Sequence, residues 1–376
     1  MYFLDGNRIY IKPQHGCGSL KEQVENCLVQ LKDINSGKKI FKLNFFVDTA
    51  SEKDYRELVA HIGSQVSKSF DENIIQNFIA QPPLTCRIIV EAFFYDSKLW
   101  ECRQIEFAGD SAMLFKKENT QFLIGNVQAN VKKGCRKNSE LVFANLTGML
   151  QTVNFSVNTI IRQWNYVEGI LDFDGEQQYY QEFNNVRSGF YQKHFDVTGY
   201  PAATGIGMNR GGVIVEFVAV KSDKVKSIAI DNPEQIAAHH YSTNVLVGEE
   251  CVLKSTPKFE RARYFELNGK KMIFISGTAA IEGEKTVGVG DPIKQTEITI
   301  KNIKKLYSEK VLQEMNRENL VPKYGHARVY VKNRKDFAAI KRTYKKHFGN
   351  LPVVYIVADI CRKDLLVEIE GKVILE

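Results

Sequence analysis

Two glutamates near the end of the chain are spaced to share one face of a strand. In segment 365–373, Val367 and Ile369 alternate with Glu368 and Glu370. Side chains alternate along a strand, so the two carboxyl groups lie on the same face. One interpretation is an ordinary solvent-facing surface. The other is a chemical role for one or both carboxyl groups.

A run of small residues, SGTAA at 276–280, follows an apolar strand segment. Small residues at a strand end let a ligand approach closely, although tight packing against a neighbouring strand explains the same run. The chain has no glycine-rich nucleotide loop of the expected spacing and no Cys/His cluster with metal-site spacing. Nucleotide and metal binding therefore have no support in the sequence.

Strands alternate with helices along the whole chain. Apolar residues at helical spacing predict helices at 19–31, 51–66 and 295–315, and Ser51 with Asp54 has the spacing of a helix cap. A hairpin is predicted to turn at Asn268-Gly269, and apolar runs predict strands at 39–49, 87–96, 121–131, 213–222, 326–333, 353–362 and 365–375. This pattern predicts an α+β protein of two units, 1–150 and 151–376, each a mixed sheet with helices on one face.

Composition narrows the classes of partner. The 376 residues are 44% hydrophobic and carry a net charge of +7, but the basic residues are scattered rather than forming the stripe that nucleic-acid binding favours. No stretch approaches the ~20 apolar residues that a membrane span needs. The start of the chain lacks a signal-peptide core. Seven cysteines in a chain of this length suggest free thiols, which are typical of the cytoplasm. Together with the scattered charge and the lack of a long apolar stretch, they lead us to expect a cytoplasmic protein with neither nucleic-acid nor membrane partners.

Several motifs occur together in an order that resembles the chorismatase family. The most specific are RQWNY at 162–166 and ADICRxDLLVEIE at 358–370, and FNxxR, PAATGIG, PxFxR and ISGTAAI lie between them. The resemblance covers the chain from about residue 161 onward. It implies an enzyme that removes the enolpyruvyl side chain of chorismate, a fold of RidA/YjgF-like (chorismate-mutase-like) units, and no metal or organic cofactor.

The resemblance also implies roles for individual residues. Glu368 is the expected acid that protonates the enolpyruvyl methylene. Chorismate is a dianion, and the planar arginine side chain suits carboxylate binding better than lysine does. Arg162 and Arg261 are therefore the first candidates for substrate binding, followed by Arg328, with Tyr166 of RQWNY beside them. The alternative for each arginine is a surface ion pair worth less than about 1 kcal/mol.

Two further positions bear on the product. Within the family, one branch adds water to give a cyclohexadiene diol, and another gives 3-hydroxybenzoate. Cys361 resembles the hydroxybenzoate branch, whereas Ala279 resembles the diol branch. The two markers disagree, and we favour 3-hydroxybenzoate on the strength of Cys361, although a buried cysteine also serves as a small apolar residue.

Three departures from the family pattern leave alternatives open. Residues 252–254 read VLK where a Tyr-Gly-Pro run is usual, and Glu284 stands where histidine is common. A small-molecule binding protein without activity would fit these changes. A RidA-like deaminase of reactive imines is disfavoured, because Val353 occupies the place of its arginine. RidA-like proteins often form trimers, but a chain with two units could cover those surfaces itself, so the sequence leaves homo-oligomer formation open.

Overall fold

The strands of the protein form three large sheets. The computed structural model describes residues 4–16, 18–34, 37–70, 73–192, 199–242, 245–246 and 254–376. Over these residues the chain contains one four-stranded and two six-stranded sheets, each with helices packed against it. The predicted α+β class is therefore confirmed.

The N-terminal unit is the four-stranded sheet with two helices. Both helices begin where the sequence predicts: Ser19 forms a capping box with Glu22, and the Ser51 side chain accepts a hydrogen bond from Asp54 N. The elements are β1 (Arg8–Ile11), α1 (Leu20–Asp33), β2 (Lys39–Val47), α2 (Glu52–Ser69), β3 (Ile75–Ile79) and β4 (Ile88–Tyr95).

The middle unit follows directly with six strands in one sheet. Its elements are β5 (Glu101–Phe107), β6 (Asp110–Lys117), β7 (Thr120–Ala129), α3 (Gly134–Gln151), β8 (Ile160–Glu168), the short pair β9 (Phe173–Asp174) and β10 (Gln177–Gln178), α4 (Tyr179–Gln192), β11 (Ala202–Met208) and β12 (Val213–Lys221).

The C-terminal unit holds the remaining six-stranded sheet. Its elements are β13 (Lys226–Ile230), β14 (Ala262–Leu267), β15 (Lys270–Ala279), the short pair β16 (Ile281–Glu282) and β17 (Lys285–Thr286), α5 (Pro292–Lys305), α6 (Glu309–Glu314), β18 (Pro322–Val331), α7 (Phe337–Phe348), β19 (Val353–Val357) and β20 (Val367–Leu375). The predicted hairpin turn is confirmed, since Asn268 and Gly269 both have the positive φ that such a turn requires.

All three units share one topology. If the six long strands of a unit are numbered in chain order, without the short pairs β9–β10 and β16–β17, their order across both six-stranded sheets is 1-2-3-6-4-5. The four strands of the N-terminal sheet, β1-β4-β2-β3, then correspond to strands 3, 6, 4 and 5. The helices occupy matching places after strands 3 and 4. It follows that β4, β12 and β20 are equivalent last strands, and that β2, β8 and β18 are equivalent to one another.

The three units close into a ring. In each unit, the loop that leads into the last strand (β4, β12 or β20) contacts the end of the next-to-last strand of another unit (β19, β3 or β11, respectively). Leu84 N donates to the Tyr355 carbonyl, Gly207 N donates to the Asp359 carbonyl, and Asn209 N donates to the carbonyl of Ala80. Each unit therefore contacts both of the others.

Two predictions about boundaries need correction. Residue 150 lies inside α3, and β7 and β12 on either side of it pair along their whole length, so the division into 1–150 and 151–376 would cut the middle sheet. The predicted long helix 295–315 is two helices, because α5 ends at Lys305 and α6 begins after Ser308. The helix error arises because apolar spacing continues through the turn between α5 and α6.

Candidate active site

A cleft of about 700 Å³ lies between the middle and C-terminal units. β11 and β15 meet beneath it, where the Ser276 hydroxyl accepts a hydrogen bond from Ala203 N (2.9 Å) and donates one to the Glu260 carbonyl (2.6 Å). The side chains that give the cleft its chemical character are those of Tyr180, Tyr241, Arg261, Cys361, Arg362 and Glu368. The cleft therefore combines a carboxyl group, two guanidinium groups, two phenols and a thiol.

The small-residue run brings β15 against the carboxyl group. A Cβ atom on Gly277 would lie 2.1 Å from Glu368 Oε1 and 3.1 Å from the Thr204 methyl carbon, so only glycine fits there. Ala279 pairs with Glu368 across the β15–β20 ladder and lines the cleft. The same small residues permit tight packing and leave space beside the carboxyl group.

Glu368 is buried at the base of the cleft, with 4% of its surface exposed. Burial raises the pKa of its carboxyl group to about 8, and the negative charge of Glu370 acts in the same direction, while Arg162 and Arg261 oppose the shift. At neutral pH the group is therefore mostly protonated. A carboxylic acid that is protonated at neutral pH and reaches a cleft is suited to general acid catalysis.

Arg261 lies in the cleft with a hydrogen-bonded support. Its Nη2 donates to the Tyr241 hydroxyl (2.6 Å) and to the Ile236 carbonyl (2.7 Å), and its buried Nε has no hydrogen-bond partner among the described residues. An unpaired buried donor of this kind is available for an anionic ligand. The structure thus places Arg261 where the sequence predicted a carboxylate-binding group.

Glu284 stabilises the segment that carries Tyr241. Its carboxylate accepts hydrogen bonds from Ser242 N (2.8 Å) and from the Ser242 hydroxyl (2.6 Å), and its carbonyl accepts one from Arg362 Nη1 (2.6 Å). The unexpected residue at this position therefore helps to fix one wall of the cleft. Residues 252 and 253 of the VLK departure lie outside the described part of the chain.

Cys361 and Tyr180 face the same space from opposite units. Burial raises the pKa of the Cys361 thiol to about 12, and the charge of Glu368 contributes, so the thiol stays neutral. Cys361 therefore acts through its shape and weak polarity. Burial likewise raises the pKa of Tyr180, whose ring lies against Gly205. Sequence reasoning missed Tyr180, because nothing in its immediate sequence distinguishes it from a core tyrosine.

Three ion pairs form a ring at the centre of the molecule, and each joins two units. The cations come from β2, β8 and β18, and equivalent positions on β4, β12 and β20 supply the carboxylates. The pairs, called here the central ring, are Lys42–Glu216 (3.0 Å), Arg162–Glu370 and Arg328–Glu91 (2.5 Å).

This ring changes the assignment of three predicted substrate-binding residues. Arg328 is fully buried and pairs with the ring carboxylates, and Tyr166 donates to Glu216 and accepts from Arg328. Neither residue lines the cleft, so the prediction was wrong for both. Arg162 also belongs to the ring, through Glu370 and Thr204, and influences Glu368 only through its charge.

Arg187 of the FNxxR motif is a second buried guanidinium near the cleft. It donates to the Asn184 side chain (2.7 Å), lies over the Phe183 ring, and forms no ion pair with a described carboxylate. Its charge acts on Tyr180 and on Lys258. The sequence analysis did not include Arg187 among the candidate site residues. The FNxxR motif could have identified it.

Comparisons with known proteins point to one family. The family model described as "Chorismatase FkbO/Hyg5-like, N-terminal" matches residues 98–219, and the model "Endoribonuclease L-PSP" matches residues 260–375. A chorismatase of Streptomyces rapamycinicus is 30% identical over 62% of this chain and 68% of its own length. The chain belongs to the chorismatase family.

Two curated relatives from Streptomyces hygroscopicus extend the comparison. A "3-hydroxybenzoate synthase" is 31% identical over 58% of this chain, and the match spans 64% of that relative's length. A "Chorismatase" is 29% identical over 75% of this chain and 80% of its own length. The crystal structure of a chorismatase superposes with a TM-score of 0.71 over 98% of both chains at 22% identity, so this chorismatase family member shares its fold throughout.

Proposed function

We propose that this chorismatase family member cleaves chorismate to pyruvate and a hydroxybenzoate, with 3-hydroxybenzoate favoured. The observation that carries the proposal is the buried, protonated carboxyl group of Glu368 in a cleft that also presents Arg261. Family membership supports the choice of substrate. Val353, at the start of β19, packs against the apolar core of the C-terminal unit, which argues against imine deamination.

The reaction begins with proton transfer to carbon. Glu368 donates its proton to the methylene carbon of the enolpyruvyl group, and the ether oxygen stabilises the resulting oxocarbenium ion. The bond between C3 of the ring and the ether oxygen then breaks, its electron pair goes to that oxygen, and pyruvate leaves. The hydroxyl oxygen at C4 attacks C3 as the bond breaks and loses its proton, which gives an epoxide across C3 and C4. The C4–O bond then breaks, the oxygen stays on C3 and is reprotonated, and loss of the C3 proton to Glu368 aromatises the ring to 3-hydroxybenzoate.

The cleft supplies the remaining requirements. Arg261, held by Tyr241, is oriented to bind one carboxylate of the substrate, and the charge of the buried Arg187 acts on Tyr180, which lines the cleft. Cys361 and Ala279 lie beside the acid, where they can exclude or admit a water molecule. A dry cleft favours attack by the ring hydroxyl. An admitted water would give the dihydroxycyclohexadiene carboxylate instead.

The environment of the enzyme follows from its thiols. The described cysteines Cys27, Cys86, Cys135 and Cys361 are free thiols, which suits a reducing compartment, so we place the enzyme in the cytoplasm. No helix in the described part of the chain is long and apolar enough to cross a membrane. The proposed partner is chorismate alone.

The test is to incubate purified protein with chorismate, measure pyruvate, and identify the ring product by chromatography against authentic standards. We expect equal amounts of pyruvate and 3-hydroxybenzoate. Pyruvate with the diol would retain the enzyme class but move the chain to the hydrolytic branch. Chorismate binding without pyruvate release at any pH between 5 and 9 would contradict the proposal and favour a binding protein.

A further inference from the structure

Two buried amide side chains of α5 are hydrogen-bonded to the walls of the active-site cleft. Gln295 and Asn302 lie about two helical turns apart, so they project from the same face of the helix, and both are 0% exposed. The buried side of α5 also carries Ile300 and Ile303, which pack in the apolar core of the C-terminal unit. A buried amide group needs hydrogen-bond partners, and these two bond to the backbone of segments that line the cleft.

Gln295 binds the segment that leads into β20. Its Nε2 donates to the Asp364 carbonyl, and its Oε1 accepts from Leu366 N, both at 2.8 Å. The two bonds flank Leu365, which lines the cleft. Glu368 lies two residues beyond Leu366 in the chain. The Gln295 side chain therefore fixes the backbone from which the acid projects.

Asn302 binds a second segment of the cleft wall, at the end of β15. Its Nδ2 donates to the carbonyls of Ala279 (3.2 Å) and Ile281 (3.0 Å), and both of these residues line the cleft. One helix is thus hydrogen-bonded to two of the segments that the C-terminal unit contributes to the cleft. Loss of either set of bonds would allow one segment to move relative to the other.

The N-terminal unit contains the same arrangement in α1, which occupies the place of α5. Gln23 Oε1 accepts from Arg87 N (2.9 Å), directly before β4, and Gln30 Nε2 donates to the Lys12 carbonyl (2.9 Å), directly after β1. The last strand of this unit has Ile89 at the position equivalent to the acid of β20. The arrangement therefore belongs to the fold, and in the C-terminal unit the acid and the cleft are built on it.

We propose that Gln295 and Asn302 are positioning residues of the active site. They fix the segment that carries Cys361 and Glu368 relative to the strand end that carries Ala279, and this separation determines whether water reaches the reacting carbon. Neither amide side chain lines the cleft, so both act through the residues that they hold. The inference rests on the proposed function, because it gives these residues a part in the placement of the acid and the choice of product.

Steady-state kinetics with chorismate test the role of Gln295. Gln295→Met keeps the approximate size of the side chain but loses both hydrogen bonds. A small displacement of a catalytic group can cost up to about 100-fold in rate, so we expect kcat to fall by about tenfold or more. KM should change by less than about threefold, because Arg261 is held by Tyr241 on a different segment. The proportion of the diol among the ring products should rise.

Gln23→Met is the matched control for this variant. It removes the equivalent hydrogen bond to Arg87 N in the N-terminal unit, where no acid depends on it. Its effect on stability should resemble that of Gln295→Met, but kcat and the product ratio should stay close to those of the wild type. A similar fall in kcat in both variants, or an unchanged product ratio in Gln295→Met, would overturn the proposal.

Asn302→Leu tests the bonds to the end of β15. It should raise the proportion of the diol with a smaller fall in kcat, because the segment of Glu368 is still held by Gln295. Thr299→Val is its control, since the Thr299 hydroxyl is buried on the same helix and has no hydrogen-bond partner among the described residues. Equal product ratios in these two variants would overturn the role of Asn302.

Gln295→Glu keeps the proposal testable if Gln295→Met does not fold. A protonated carboxyl group can donate to the Asp364 carbonyl and accept from Leu366 N, as the amide does. Burial favours the protonated form, so kcat of this variant at pH 5 should lie within about threefold of the wild-type value. A loss of about tenfold or more at pH 5 would contradict the assigned hydrogen bonds.

Hydrogen exchange measured by mass spectrometry without chorismate tests the geometry separately from the reaction. The peptide that spans residues 361–366 should exchange about tenfold faster in Gln295→Met than in the wild type, because the Leu366 amide loses its acceptor. In Gln23→Met it should exchange at the wild-type rate. Unchanged exchange in Gln295→Met would overturn the positioning role even if the wild type is active. Faster exchange in that variant, with no pyruvate from the wild type, would support the positioning of this segment and contradict the proposed function.

Discussion

The equivalent strands β4, β12 and β20 differ at one position that decides what each unit can do. All three carry a central-ring glutamate: Glu91, Glu216 and Glu370. Two residues earlier, β20 has Glu368, whereas the other strands have Ile89 and Ile214. The ring position pairs each unit with another, and on β20 the earlier position faces the cleft between the middle and C-terminal units. The same fold thus holds three paired carboxylates and, on one strand only, a further carboxyl group at the cleft.

The largest expected effect is the loss of that acid. Glu368→Gln keeps the shape of the side chain but cannot donate a proton to carbon, so kcat/KM for chorismate should fall by about 10²–10⁴-fold. Pyruvate release in a coupled assay measures the change. The exposed variant Glu282→Gln, on the nearby β16, is the control and should retain activity. A Glu368→Gln variant within fivefold of the wild type would remove Glu368 from the mechanism.

The pH dependence of the wild type follows from the same group. The pKa of Glu368 is about 8 in the folded state, above its ordinary value, so activity should decline about tenfold per pH unit above pH 8 as the acid loses its proton. The folded state also binds this proton more tightly than the unfolded state. Its stabilising contribution is therefore complete below about pH 4.5 and is lost as the pH rises through 8.

Glu368→Gln should remove this second effect. Unfolding in urea at pH 5 and pH 8 should reveal a smaller pH dependence of the free energy of unfolding in the variant than in the wild type. Equal dependence in both proteins would mean that Glu368 is not the buried group that titrates.

A large loss of stability is expected when a residue of the central ring is replaced. Arg328→Met leaves the buried Glu91 without its 2.5 Å partner from β18, and removing one member of a buried ion pair costs about 3–5 kcal/mol. Urea unfolding measures this change in the free energy of unfolding. Arg56→Met, which breaks an exposed pair with Glu52, should change stability by less than about 1 kcal/mol. Similar costs for both variants would contradict a structural role for the ring.

Substitution of the cleft arginine should have an intermediate effect. Arg261→Lys retains the charge but loses the planar geometry, and one charge-assisted hydrogen bond is worth about 1.5–3 kcal/mol, or about 10- to 100-fold in kcat/KM. The exposed Arg136→Lys is the control. If Arg261→Lys has the activity of the wild type, Arg261 does not bind a substrate carboxylate.

Substitution of Cys361 should have the smallest effect on the rate, but it should change the ratio of the two ring products. Cys361→Ala enlarges the space beside Glu368, so a water molecule can compete with the ring hydroxyl. We expect kcat/KM to change by less than about tenfold while the proportion of diol rises, as measured by chromatography of the ring products. An unchanged product ratio would assign the branch to other residues, of which Ala279 is the next to test.

The sequence predicted individual helices, strands and turns better than it predicted which of them belong to one unit. Helix caps such as Ser51 and the Asn268-Gly269 turn are local signals, and the structure confirms both. The three-unit topology depends on which strands pair across long stretches of chain, for which local periodicity carries no information. The unit boundary near residue 150 was wrong for this reason.

The candidate site divides in the same way. Glu368, Cys361, Ala279 and Arg261 lie in the cleft, as their motifs predicted, whereas Arg328 belongs to the central ring. A buried arginine has the same residue type and the same apolar neighbours whether it meets a substrate or a glutamate from another unit. Only the packing of the three units distinguishes the two roles.

The covalent connection of the three units has a consequence for how this molecule can change. In a symmetric trimer of identical subunits, every substitution appears three times, so an acid or a cation placed at one interface is repeated at the other two. Here Glu368 occurs once, because the equivalent positions on β4 and β12 are Ile89 and Ile214. The tandem arrangement lets one junction acquire a reactive group while its counterparts stay inert, and it offers protein engineers two vacant junctions for different chemistries.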